Sequence, residues 1–301
     1  MAVTDHVTRA DLPRSAHGVR HDGRMPVKPR SLVLDMFGEY LRYLGPEVRL
    51  TQVTNLLSEF DVTPATVRVT MSRLKNEQWF TSRREGRETV YTLTQTMVDV
   101  LDEGRARIFA PPARPWTGEW TMVIYQMSEA ERVERNQLRK TLAWHGFGPL
   151  TTSTWLAPGD RSAEARSFVG EGVQDQIDIL RCSSEGVERD RDMASRCWDL
   201  EALAADYDEF VAAHRALAAE APRLEGAEAL IARTELISTF RHFPFRDPRL
   251  PLEIRPDRWP GDEAHLSFRR TYDVLGAAAR AHVSDLVGQP VPVADESHSA
   301  A

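Results

Sequence analysis

The 301-residue chain contains only two cysteines, Cys182 and Cys197, and neither stands in a CxxC pair or a Cys/His cluster. That excludes a disulfide framework and a thiolate metal site, and it suits a reduced, cytoplasmic protein. No stretch approaches the ~20 consecutive apolar residues of a membrane-spanning helix, so no membrane partner is expected. The first 28 residues also lack an apolar core. They read as a disordered, mildly basic arm and not as a secretory leader. Their histidines, His6, His17 and His21, match no ligand spacing. Signatures of catalysis are missing as well: there is no GxSxG, no GxGxxG after a strand, no P-loop and no HExxH. The chain is therefore not expected to be an enzyme or to carry a cofactor, and no catalytic or metal-binding residue is assigned.

What is present is ordinary in bulk, with 42% apolar and 28% charged residues. The length suits two or three domains. A net charge of −7 argues against indiscriminate nucleic-acid binding, but the charge is unevenly spread. Between Pro64 and Tyr91 stand Arg68, Arg73, Lys75, Arg83, Arg84 and Arg87 against Glu77, Glu85 and Glu88, while the acidic excess lies mainly after Pro111. A modestly basic front on an acidic body is compatible with a small DNA footprint.

The periodicity predicts three helices in that front. SLVLDMFGEYLRYLG carries apolar residues at helical spacing and is stopped by Gly45-Pro46. RLTQVTNLLSEFDV follows, with Thr51 as a candidate N-cap. TPATVRVTMSRLKNEQWF opens with Thr63 as N-cap and Pro64 at the first helical position. Val67, Met71 and Leu74 bury one face of this third helix. WFTSRREGRETVYTLT then gives two β-type runs around Glu85-Gly86-Arg87, a hairpin signal.

These pieces form a winged helix-turn-helix over residues 29–110. Its second paired helix enters the major groove and its hairpin grips phosphate. The face of the third helix away from the core carries Ala65, Val69, Ser72 and Asn76, flanked by Thr66, Arg68 and Arg73. Small residues let the helix approach, Ser and Asn read base edges, and Arg pairs with guanine or phosphate. The helix start at Thr63 offers free backbone amides to a phosphate. The hairpin adds Arg83, Arg84 and Arg87.

Beyond the proline-rich linker FAPPARPWTG, EWTMVIYQM reads as a strand, ERVERNQLRKTLAWHGFG as a helix closed by Gly146 or Gly148, TTSTWLAPGD as a strand, AEARSFVGEG as a helix and DQIDILRC as a strand. This order suggests a ferredoxin-like α/β domain at 116–197 for dimerisation or interaction. Residues 198–287 read as a helical C-terminal domain, with helices near the start, at 227–243 and at 262–286, and 288–301 as a disordered tail. The expected class is α+β. Between the last two helices lies the proline-rich loop FPFRDPRLPLEIRPDRWPG.

SLVLDMFGEYL together with TPATVRVTMSRLKNEQWFTSRREGRETVYTLT resembles the N-terminal domain of the PaaX family of transcriptional regulators. Val67-Arg68, Arg73-Leu74, Arg83-Arg84-Glu85-Gly86-Arg87 and Tyr91-Thr92-Leu93-Thr94 stand where the family's pattern has them. The resemblance continues in WTGEWTMVIY, LRKTLAWHGFGPLTTSTWLAP and FRHFPFRDPRLPLEIRPDRWPG, and covers residues 29–286. One departure is Gln78, where the family commonly has Gly; it should alter a turn and not the function. The resemblance implies a repressor, usually dimeric, of genes for aromatic-acid catabolism, acting on a double-stranded DNA operator. It also implies an acyl-CoA effector such as phenylacetyl-CoA.

Aromatics and arginines suit such an effector, whose phosphates need cations and whose acyl group needs an apolar slot. Trp144, Trp155, Arg241, Phe245, Arg246, Arg255 and Trp259 are the candidates. The alternative is that these aromatics are core and that Arg246-Asp247-Pro248 is a structural turn. A metal-dependent nuclease built on the middle domain is the other function weighed. It needs a carboxylate at the end of the first strand, where this chain has Tyr125-Gln126-Met127 and no acid before Glu129.

Overall fold

The computed structural model describes residues 28–110, 115–169 and 174–293. The expected arm, except Lys28, and part of the proline-rich linker lie outside the described residues. The protein is of mixed helix and sheet, as the periodicity predicts. Its described residues form two compact units that do not follow chain order. One holds Ala110–Phe210 and His242–Ala264; the other holds the described parts of Asp5–Phe109, Val211–Arg241 and His265–Ala301.

The second unit begins with α1 (Pro29–Glu39), β1 (Glu47–Arg49), α2 (Leu50–Ser58) and α3 (Pro64–Asn76). The hairpin β2 (Phe80–Glu85) and β3 (Glu88–Leu93) follows, then α4 (Gln95–Ile108). The three strands form one antiparallel sheet in the order β1-β3-β2. Leu32, Met36, Phe37, Val53, Leu57, Val67, Met71 and Leu74 are buried together, the stripes expected of the three helices. The same core takes in Leu230 from α9 (Gly226–Phe240), and Ala279, Val283 and Val287 from the C-terminal part of α10 (Gly261–Val287). Val291 joins it at 8% exposure, so the chain beyond Val287 does not become a free tail at residue 288.

Local chemistry sets the corners of this unit. Thr63 caps α3 as expected: its hydroxyl accepts the Thr66 N–H at 3.3 Å, with Pro64 at the first helical position. Thr51 is not a cap. It lies inside α2, whose N-cap is Arg49, and the Gln52 side-chain oxygen accepts the Arg49 N–H at 2.8 Å. Asp61 takes φ +58, and Val62 N–H donates to the Leu57 carbonyl at 3.2 Å. Gln78 takes φ +63, and Trp79 N–H donates to the Leu74 carbonyl at 3.0 Å. Both helices thus end in the same left-handed motif, which glycine favours. The turn at Gln78 is kept, with a side chain in a strained place.

The first unit carries β4 (Trp120–Tyr125), α5 (Arg132–Trp144), β5 (Gly148–Pro149), β6 (Thr154–Pro158), α6 (Ser162–Phe168), β7 (Ile177–Cys182) and α7 (Val187–Cys197). The first turns of α8 (Leu200–Glu220) and the loop 242–260 complete it. Its sheet is antiparallel throughout, in the order β5-β6-β4-β7. Gly146 closes α5 with φ +76, as Phe147 N–H bonds back to the Leu142 carbonyl at 2.9 Å. One face of the sheet covers Leu138, Leu142, Phe147 and Ala165. The other covers Trp120, Leu156, Ala194 and Cys197. Asp190, buried there, accepts both the Trp116 and Trp120 indole N–H groups, at 3.0 and 2.6 Å. Among the described residues no helix is long and apolar enough to cross a membrane.

Candidate nucleic-acid interface

Helix α3 buries Val67, Thr70, Met71 and Leu74. Its other side leaves Ala65, Arg68, Val69, Ser72, Arg73 and Asn76 exposed, with Val69 51% open to solvent. The expected reading face is therefore a continuous surface. Thr63 and Thr66 sit at its N-terminal end, their hydroxyls 3.0 Å apart. The side chains of Arg68, Arg73 and Lys75 form no hydrogen bond or ion pair among the described residues, so their charge is uncompensated by contact. Lys75 was not among the candidate site residues, and its exposure was legible in the helical spacing.

The hairpin turns at Gly86, whose φ of +61 a Cβ would oppose, and Arg87 follows at the exposed tip. Arg87 has no contact partner among the described residues. Arg84 donates to the Thr89 hydroxyl at 3.2 Å. Arg83 is placed differently. Its Nε and Nη2 reach the two carboxylate oxygens of Glu47 at 3.0 and 2.7 Å, and Nη2 lies 2.6 Å from Glu85. Glu85 also holds Arg49 at 2.6 Å. The Arg83 hydrogen bond keeps the Glu47 carboxyl below its ordinary range, and bonds from Arg49 and Arg83 do the same for Glu85. The structure thus leaves Arg68, Arg73 and Lys75 on α3 and Arg87 on the hairpin as unpaired cations, and ties Arg83 into a surface network.

The effector candidates do not form one cluster. Arg241 belongs to the second unit, where it pairs with the buried Asp35 at 2.6 Å. The other candidates are in the first unit. Trp155 is 5% exposed in the sheet core, which is the alternative role considered for it. Trp144 packs on Phe245 with ring centres 4.5 Å apart. Trp259 meets Tyr207 edge-on at 5.8 Å. The loop arginines are matched by carboxylates: Arg246 with Asp206 at 2.6 Å, Arg255 with Asp262 at 2.9 Å, and Arg258 with Asp208 at 3.0 Å. Asp247 accepts the Tyr207 hydroxyl at 2.8 Å and the Arg249 N–H at 2.6 Å, which fixes Arg246-Asp247-Pro248 as a built turn. Strand β4 bears no carboxylate, and among the described residues no group of His, Cys, Asp and Glu is placed to hold a metal.

Three family models match the chain in succession. A model described as PaaX-like protein covers residues 28–97, the PaaX protein central Cas2-like domain covers 113–194, and the PaaX-like protein C-terminal domain covers 198–285. Their succession on one chain defines a regulator of modular build. The chain belongs to the PaaX family. It is 27% identical over 274 residues to the transcriptional repressor PaaX of Escherichia coli strain K12, covering 87% of this chain and 84% of that one. Among solved structures it is similar to the uncharacterized protein Rv0674 from Mycobacterium tuberculosis. That match has a TM-score of 0.55 at 22% identity and covers 86% of this chain and 98% of the other.

Proposed function

We propose that the chain is a DNA-binding repressor of aromatic-acid catabolic genes. In this reading the β1–β3 sheet and helices α1–α3 act as a winged helix-turn-helix. The observation that carries it is the outer face of α3: small residues in the middle, a half-exposed Val69, and Arg68, Arg73 and Lys75 free of carboxylates. A helix of that composition fits the major groove. Val69 suits the methyl group of thymine, Ser72 and Asn76 suit base edges, and Arg84 and Arg87 on the hairpin suit phosphate. The family relative is itself named a transcriptional repressor, and the role calls for no catalytic group.

The first unit serves in this reading as the dimerisation and effector half. Strand order β5-β6-β4-β7, with α5 and α6 as the crossovers, supports a ferredoxin-like arrangement. A homodimer on a palindromic operator is released when an acyl-CoA binds this half. Such a ligand acts only through its different affinity for the two arrangements. Trp144 and Phe245 are the aromatic pair best suited to the acyl group, and an anionic part must compete with Asp206 or Asp262 for Arg246 or Arg255.

The test is footprinting of the full-length protein upstream of its own gene, with and without CoA thioesters. Protection lost on adding an aryl-acyl-CoA is expected. Arg68→Ala should alter base preference, whereas Arg87→Ala should weaken binding to all sequences. Absence of preference for any genomic fragment refutes the reading.

A further inference from the structure

We propose that Glu47 and Glu85 hold Arg49 and Arg83 away from phosphate, making the outer face of the hairpin a surface without net positive charge that limits affinity for DNA of any sequence. The proposal rests on the DNA-binding reading above and assigns a specificity role to two acidic residues.

The arrangement follows from strand register. Arg49 and Arg83 both stand opposite Val90, one on each side of the central strand β3. Glu47 and Thr81 both stand opposite Thr92. Residues paired across strands share a face, and alternate residues share it along a strand. Arg49, Arg83, Glu47, Glu85 and Glu88 therefore lie on one face, and Arg84 lies on the other. Val90 is on the arginine face but only 2% exposed, with an arginine opposite it on each neighbouring strand. The register places the two arginines, and the carboxylates place their heads. Two Glu47 oxygens meet the Arg83 fork in the bidentate geometry that arginine favours.

A phosphate approaching this face meets two positive groups, Arg49 and Arg83, and three negative ones, Glu47, Glu85 and Glu88. To bind it, Arg83 must give up its bonds to Glu47 and Glu85 and leave both carboxylates facing an anion. Like charges so juxtaposed are repulsive. The α3 cations and Arg87 face no such choice. Phosphate contacts carry no sequence information, so each one suppressed lowers the background without weakening base readout. A protein that must find one site among many benefits from that repulsive element.

The experiment measures binding of the full-length protein to a duplex of scrambled sequence over a range of salt. Each new phosphate contact steepens the log–log salt dependence by about 0.9. Glu47→Gln combined with Glu85→Gln keeps the side-chain shape but removes both charges and turns one acceptor oxygen of each into an NH2 donor, which frees both arginines. It should raise affinity roughly tenfold at low salt and steepen the slope by about 1–2. Arg83→Ala should leave the wild-type slope unchanged, whereas Arg87→Ala should flatten it by about 0.9. An unchanged slope in the double variant overturns the proposal, as does an Arg83→Ala loss equal to that of Arg87→Ala. Should the double variant fail to fold, the Arg83→Ala slope decides alone. If Arg68→Ala and Arg87→Ala both leave binding intact, the interface reading itself fails and the proposal falls with it. If they weaken binding while the double variant gains nothing, only the proposal falls.

Discussion

Replacing Gln78 by glycine should stabilise the unit that contains α3. Gln78 has φ +63 and terminates α3 in the left-handed conformation. For a residue with a Cβ that conformation costs roughly 1–2 kcal/mol relative to the right-handed one. Glycine avoids the clash, but it has more backbone freedom to lose on folding, about 0.5–1 kcal/mol. The difference leaves a net gain of about 0.5–1 kcal/mol. No tertiary interaction is forfeited: the Gln78 side chain is exposed and makes no hydrogen bond among the described residues. The Thr94 hydroxyl donates to the Gln78 carbonyl at 2.9 Å, and glycine keeps that carbonyl. Urea unfolding followed by a probe in this unit is the assay. The midpoint should rise at unchanged slope, and the melting temperature should rise by about 2–4 °C for a unit of this size. Gln78→Ala, which keeps the Cβ, is the control and should gain nothing. Equal midpoints for Gln78→Gly and the wild type would refute the argument from backbone strain.

Gly86→Ala tests the same physics at the hairpin. A Cβ there meets nothing within 4 Å, so the penalty is conformational only; the left-handed cost less glycine's extra entropy leaves a net loss of about 0.5–1 kcal/mol, which should appear in the same urea assay. Arg233 is buried at 5% exposure, 3.0 Å from Glu39 and bonded to the Tyr40 hydroxyl at 2.8 Å. Arg233→Ala removes the nearer of Glu39's two guanidinium partners, leaving Arg105 at 3.6 Å, and calorimetry should show a loss of about 3 kcal/mol. In the first unit, burial pushes the Glu164 carboxyl up, but hydrogen bonds from His145 and Arg161 outweigh it and hold it at about 2. A carboxyl depressed on folding stabilises the native state above its unfolded pKa, and that stability is lost as pH falls through the folded value. Stability of this unit should therefore fall from about pH 4.5 towards pH 2, and Glu164→Gln should flatten that part of the melting profile.

Much of the front of the chain was legible because its signals are local. Thr63-Pro64 opens α3, Glu85-Gly86-Arg87 turns the hairpin, and the spacing of Val67, Met71 and Leu74 orients the helix. Elements whose reason lies far away were missed. Strand β1 is three residues long and exists because β3, over 40 residues on, supplies its partner. Helix α7 buries only Asp190, Ala194 and Cys197, too sparse a stripe to announce itself, and α4 buries only Met97 and Ile108. The same distance governs the site. Arg83 and Glu47 are 36 positions apart, so sequence shows a basic tip where the structure has a neutralised strand. Arg246 and Arg258 look like free cations until Asp206 and Asp208 arrive from α8. Arg241 stands near them in sequence and in a different unit in space.

Leu230, Val283 and Val291 share a core with Leu32 and Val67, and this has a consequence for how the protein is made. When residues 28–97 leave the ribosome, α3 can pack on α1 and α2, but the sides of α1 and α2 that meet α9 and the end of α10 stand uncovered. That cover waits for nearly two hundred further residues to be synthesised. A truncated message would yield a sticky fragment and not a small working repressor, and the cell would hold no half-built competitor for the operator.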